Sequence, residues 1–263
     1  MGGRPASANS RNNDPLPVGP ATPLDVIGID YTTEGYDAIH ASAPDIPAIS
    51  SESSSSYSDR DEYGDSSGHV SAYNEFPDWG QSADMAWGGI NVSDGQGILT
   101  RSFIAGGFTW TGHDYRGEET PTGWPAVNSH FGCVDMAGFP KDRYHYYRAW
   151  FNNATSHPVL HVFPHWDWTP GSIVKVWAYS NSAEVELFVN DVSQGRKTTP
   201  LYGHLEWNGI SWVAGSIRAV SYASVGSSTP VAEMVRNMRM THSRYMGRQS
   251  PMPWVVVNEK CLR

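Results

Sequence analysis

"IPAISSESSSSYSDRDEYG", residues 46–64, opens as an apolar run, meets one carboxylate at Glu52 and then turns to serines. Two readings of this stretch lead to different folds. In one, Ile46–Ile49 is a short core strand and Glu52 is the first solvated residue of a polar loop. In the other, the strand belongs to a parallel sheet, whose chemistry collects at the carboxyl ends of its strands, and Glu52 stands where a reacting group would stand.

The flanking sequence supports a parallel sheet. "LDVIGIDY", Leu24–Tyr31, is a continuous apolar run closed by polar residues, the form of a strand buried on both faces. A short segment, Glu34–His40, leads from it to the run at Ile46. Residues 81–101 start as a helix, and "SFIAGGFTWTG", Ser102–Gly112, is a third apolar run that ends in an aromatic residue. Strand, connector, strand, connector, strand predicts a parallel α/β sheet. Its three strand ends carry Tyr31, Glu52 and Trp110. "GFPKDRYHYYRAWFNN", Gly138–Asn153, has Pro140 placed to open a helix, with Phe139, Tyr146, Tyr147, Trp150 and Phe151 as its core face.

After Pro158 the period changes to two. In "EVELFVND" Val185, Leu187 and Val189 share a face, "SIVKVWAYS" and "GSIRAVSY" repeat the pattern, and Asn190-Asp191 is placed for a hairpin turn. These features predict an antiparallel β-sandwich of immunoglobulin-like type. The expected division is 1–155 for the α/β part, 156–230 for the sandwich and 231–263 for a tail that fits neither. That tail holds Met234, Met238, Met240 and Met246, with arginines between them and no clean alternation.

Composition limits the function. The chain has 263 residues, with Lys+Arg 18 against Asp+Glu 27 and a net charge of -9. Such a balance opposes a phosphate backbone or an anionic lipid surface, so neither nucleic acid nor membrane is an expected partner. No stretch has the apolar length to span a bilayer, and the chain reads as soluble. Cys133 and Cys261 show no metal or disulfide spacing. His157, His161 and His165 recur every four residues, but Pro158 and Pro164 interrupt any helix that would bring them together, and neither metal nor cofactor is expected. The serines after Glu52 lack the nucleophile elbow of a serine hydrolase. Trp 11 and Tyr 13 are many for this length, and flat amphipathic rings suit sugar faces as well as cores.

Taken in order, "LDVIGIDY", "IPAISSESSS", "GGFTWTGHDYRGEETPTGWP", "SHFGCVDMAGFPKD" and "LHVFPHWDW" resemble glycoside hydrolase family 2, the β-galactosidase-like enzymes, over about residues 20–225. The resemblance implies strands six to eight of a (β/α)8 barrel followed by the family's β-sandwich, and a carbohydrate substrate of β-galactoside type. It implies Glu52 as the nucleophile of a retaining glycosidase, Tyr31 as the phenol that orients it, and Trp110 as the floor of a sugar subsite. Asp114, Glu118 and Asp135 lie in loops that the family uses around the pocket and could bond sugar hydroxyls. The family's acid is the Glu of an Asn-Glu pair upstream of the nucleophile, and the 51 residues before Glu52 contain no such pair. Asn74-Glu75 and Asn258-Glu259 follow in the wrong order. The resemblance therefore predicts a carboxyl-terminal part of such an enzyme, inactive alone, with a non-catalytic sugar-binding or structural fragment as the alternative.

Overall fold

The computed structural model describes residues 25–31, 35–63, 70–71, 76–77, 82–119 and 123–238, and the chain divides into two compact units. The first contains β1 (Ile27–Asp30), α1 (Tyr36–Ser42), β2 (Ala48–Ser53), β3 (Ser56–Tyr57), β5 (Phe76–Pro77), α2 (Ala83–Gly88), β6 (Ile104–Thr109) and most of α3 (Asp142–Phe151). β4 (Val70–Ser71) belongs to the second unit, with β7 (Leu160–Phe163), β8 (Ile173–Ser180), β9 (Glu184–Val189), β10 (Val192–Thr198), β11 (Leu205–Ser211), β12 (Ser216–Tyr222) and β13 (Pro230–Asn237).

In the first unit β1, β2 and β6 form a three-stranded sheet in that order, and both pairings are parallel. All four residues of β1 are buried, as its unbroken apolar run requires of a strand covered on both faces. β2 differs from the polar-loop reading of residues 50–55. The strand runs through Glu52 to Ser53, and Ser50, Ser53, Ser54 and Ser55 are all buried. Small side chains are needed here because β6 approaches closely. A methyl group at Gly107 would come within 2.9 Å of the Ser50 Cβ. The buried hydroxyl of Ser53 donates to the Phe108 carbonyl at 2.9 Å, which satisfies it without water. Serine in this strand is a small, self-satisfying core residue, a role that hydropathy alone hides.

The α1 and α2 connectors lie near the positions their sequences suggested. The expected face of α3 needs correction. Its buried residues are Arg143, Tyr146 and Ala149, while Phe139 precedes the helix and is 52% exposed and Phe151 is 59% exposed. An aromatic period of about 3.6 was present, but a basic residue, Arg143, shares the buried face with Tyr146 and Ala149.

The second unit is a β-sandwich. One sheet has the order β10-β9-β12-β13. The other has β11-β8-β4, with β7 also paired to β8. Val174, Val176 and Ala178 of one sheet meet Val185, Leu187, Ile217 and Ala219 of the other in a core closed by Trp166 and Trp207. Asn190 and Asp191 both adopt positive φ, 47° and 64°, between paired Val189 and Val192, which is the two-residue hairpin that Asn-Asp favours. The first residues of the unplaced tail, 231–237, belong with Pro230 to β13, which pairs with β12 along its length. Its exposed and half-buried residues, with Arg236 donating to the Val162 carbonyl, explain why no apolar alternation marked it. The rest of the tail, from 239, and both Asn-Glu pairs lie outside the described residues.

Candidate active site

The carboxyl ends of the three parallel strands place Tyr31, Glu52 and Trp110 at the ends of neighbouring strands. The β1–β2 register slips between Ile29 and Asp30, so that Ile29 pairs with Ser50 but Asp30 pairs with Glu52. Such a bulge re-aims the side chains beyond it. The extra residue, Ser51, directs its hydroxyl to the Asp30 carboxylate at 2.6 Å. Tyr31 then leaves the strand in the left-handed region, φ 59°, and is tied to Glu52 twice. Its backbone N–H donates to the Glu52 carbonyl at 2.9 Å, and its phenol donates to the Glu52 carboxylate. Burial, reinforced by that carboxylate acceptor, pushes the Tyr31 phenol well above its ordinary pKa, so it remains a donor throughout the physiological range. Glu52 itself is half-buried, with access to solvent.

Trp110 continues from β6, and its backbone N–H donates to the Ser53 carbonyl at 2.8 Å, fixing it beside the end of β2. Its indole N–H donates to the Tyr115 hydroxyl at 3.2 Å, and Tyr115 in turn donates to Glu118 at 3.0 Å. Burial and the adjacent Glu118 raise the Tyr115 phenol. Tyr115 is a bridging residue that sequence reading missed, although it lies within "GGFTWTGHDYRGEETPTGWP". Trp110 keeps 38% of its surface exposed, and Glu118 is also exposed.

Asp114 and Asp135 do not join this group by any described contact. Asp114 is buried and accepts from Lys141 Nζ at 2.8 Å and from the Gly132 N–H at 2.7 Å. A side chain at Gly132 would meet the Asp114 nitrogen at 2.1 Å, so only glycine permits that contact. Lys141, 2% exposed, also donates to the carbonyls of Ser58 at 2.6 Å and His130 at 3.0 Å, binding three loop segments with one ammonium. Burial lowers its pKa, partly offset by Asp114. Asp135 accepts from Arg60 Nε and from the backbone N–H groups of Ala137 and Phe139, each at 2.9 Å. Both carboxylates are tied by these bonds to neighbouring loop segments. No group of three His, Cys, Asp or Glu side chains among the described residues could hold a metal ion.

Residues 171–229 match a family described as a domain of unknown function (DUF4982). Over 221 residues, 76% of its length, the chain is 38% identical to Beta-galactosidase BoGH2A of Bacteroides ovatus, of which it covers 25%. It superposes on a β-glycosidase of Bacteroides vulgatus with TM-score 0.61 and 24% identity, covering 82% of this chain and 31% of that one. A glycosyl hydrolase family 2 member from Bacteroides cellulosilyticus gives TM-score 0.56 at 22% identity, covering 83% of this chain and 26% of that one. The chain is related to glycoside hydrolase family 2. It spans about a quarter of the curated β-galactosidase that it matches.

Proposed function

We propose that the protein acts in retaining hydrolysis of β-glycosides, of β-galactoside type, with Glu52 as the nucleophile. The observation that carries this reading is the Tyr31–Glu52 pair at the ends of adjacent parallel strands. A retaining enzyme needs a carboxylate that stays ionised and aims one oxygen at the anomeric carbon. The hydrogen bond from the Tyr31 phenol fixes the rotamer of the Glu52 carboxylate. In this reading β1, β2 and β6 are strands six to eight of a (β/α)8 barrel, Trp110 supplies an apolar face for the sugar ring, and the Tyr115–Glu118 pair orients the indole. Asp114 and Asp135 serve by holding the loops that carry these residues.

Attack of the Glu52 oxygen on the anomeric carbon forms a glycosyl ester as the glycosidic bond breaks, and water then hydrolyses the ester. The leaving oxygen takes a proton from a second carboxyl group about 5 Å away in enzymes of this kind. The reading assigns the acid to none of the described carboxylates. General acid catalysis typically contributes about 100 to 10,000-fold. The 263-residue chain alone is therefore expected to leave lactose intact, while an activated aryl glycoside, which departs without a proton, still reacts with Glu52.

The test uses 2,4-dinitrophenyl 2-deoxy-2-fluoro-β-galactoside, whose glycosyl ester persists, and peptide mass spectrometry of the purified chain. The expected result is stoichiometric labelling at Glu52, abolished in Glu52→Gln. A label on another carboxylate, or none at all, overturns the assignment.

A further inference from the structure

Helix α3 carries two buried polar groups, and nothing in the site described above accounts for them. Arg143 is 1% exposed, and its Nη1 donates to the Ser54 carbonyl at 2.8 Å. Tyr147 lies one turn further along. Its ring reaches the surface in part, but its hydroxyl is enclosed and shares a 2.8 Å hydrogen bond with the Thr109 hydroxyl. Ser54 is two residues beyond Glu52, and Thr109 immediately precedes Trp110. Residues four apart on a helix stand about 5–6 Å apart. Adjacent strands are separated by about 4.8 Å. One helical turn therefore spans the gap between the ends of β2 and β6, where Ser53 pairs with Thr109.

We propose that Arg143 and Tyr147 are positioning residues that together fix the candidate nucleophile Glu52 relative to Trp110. The inference rests on the reading of Glu52 given above. Two features favour positioning over simple packing. Ser54 sits at φ 57°, a left-handed conformation unfavourable to serine, and the Arg143 contact is made to its carbonyl. Arg143 is also costly where it stands. Its Nε and Nη2 are buried without a hydrogen-bond partner, and Lys141 adds a like charge nearby. Burying a guanidinium with two idle donors destabilises the fold, and an apolar side chain of similar length would fill the space at less cost. Tyr147 is similarly enclosed, and burial raises its phenol, so it stays a neutral hydroxyl that can bond Thr109 at any physiological pH. The arrangement sacrifices stability for a fixed carbonyl at Ser54 and a fixed hydroxyl at Thr109, and those two points determine how β2 and β6 deliver Glu52 and Trp110.

Arg143→Met and Tyr147→Phe test this with the fluorosugar. Both variants are expected to melt within a few degrees of the parent, to keep the inactivator affinity, and to lose about 10 to 100-fold in the rate of labelling at Glu52, the scale of a misplacement near 1 Å. Arg143→Lys should recover part of the rate. Parental labelling rates in folded Arg143→Met and Tyr147→Phe overturn the inference while leaving the Glu52 assignment intact. If Arg143→Met does not fold, Tyr147→Phe, which deletes one oxygen, decides. If the parent itself is not labelled, a crystal structure of Tyr147→Phe decides: an unmoved Glu52 carboxylate, still bonded to Tyr31, overturns it.

Discussion

Asp114→Asn distinguishes a structural carboxylate from a sugar-binding one. In the native chain the Lys141 ammonium, 2% exposed, is hydrogen-bonded to the Asp114 carboxylate and the carbonyls of Ser58 and His130, with Asp59 a weaker favourable charge nearby. Asparagine keeps the shape and the contact to the Gly132 N–H but removes the compensating charge. Breaking a buried pair from one side typically costs about 3–5 kcal/mol. For a chain of this size that corresponds to roughly 6–20 °C in melting temperature, at about 2–4 °C per kcal/mol. The pH dependence gives a second check. Burial already holds the Lys141 pKa below its ordinary 10.5 in the folded state, so the unfolded chain binds more protons between the two values and stability rises with pH across that alkaline window. Without Asp114 the folded value falls further and the window opens at lower pH. The assay is urea denaturation followed by tryptophan fluorescence from pH 7 to 10. A loss under 1 kcal/mol at pH 7, with no steeper gain on the alkaline side, would falsify the assignment of Asp114 as an anchor.

Three further outcomes follow from the packing. Leu187→Ala removes a fully buried side chain from the sandwich core and should cost about 2–5 kcal/mol by the same denaturation assay, with the β-galactoside label unaffected if the first unit stands alone. Asn190→Ala loses the bonds to the Ser216 N–H at 2.9 Å and the Ala214 carbonyl at 2.8 Å, and puts alanine at positive φ, so about 1–2 kcal/mol should be lost; Asp191→Gly, at φ 64°, should be neutral or mildly stabilising. For Asp135, burial opposes ionisation, but Arg60 and the N–H groups of Phe139 and Ala137 outweigh it and hold the carboxyl below its ordinary 3.8; its contribution is present above that value and is lost as pH falls through the folded one, so the parent's stability advantage over Asp135→Asn should disappear toward pH 3 and below, as acid titration of both proteins would show.

How legible each part was depended on whether its residues obeyed a solvent-driven pattern. Strands β1, β8, β9 and β12 and the Asn190-Asp191 turn were readable because apolar residues fall where two-sided or alternate burial demands them. The end of β2 was not, because its burial is met by serines whose hydroxyls find partners inside the protein, such as the Phe108 carbonyl and Asp30. Hydropathy scores a serine for the water it would meet and has no term for a partner 55 residues away. The same blindness affects Lys141 and Arg143, which look like surface charges in "FPKDRYHYYR" and are instead among the most deeply buried side chains. Sequence pattern did not separate the three loop carboxylates. Asp114, Glu118 and Asp135 were grouped by loop position, yet Asp114 and Asp135 are held by cations and backbone N–H groups while Glu118 remains exposed. Glu52 differs from Asp114 and Asp135 in its partner, and shares with Glu118 a bond from a tyrosine phenol. Under the proposed reading the Tyr31 phenol holds the Glu52 carboxylate in place without a cationic partner, which suits attack on an anomeric carbon.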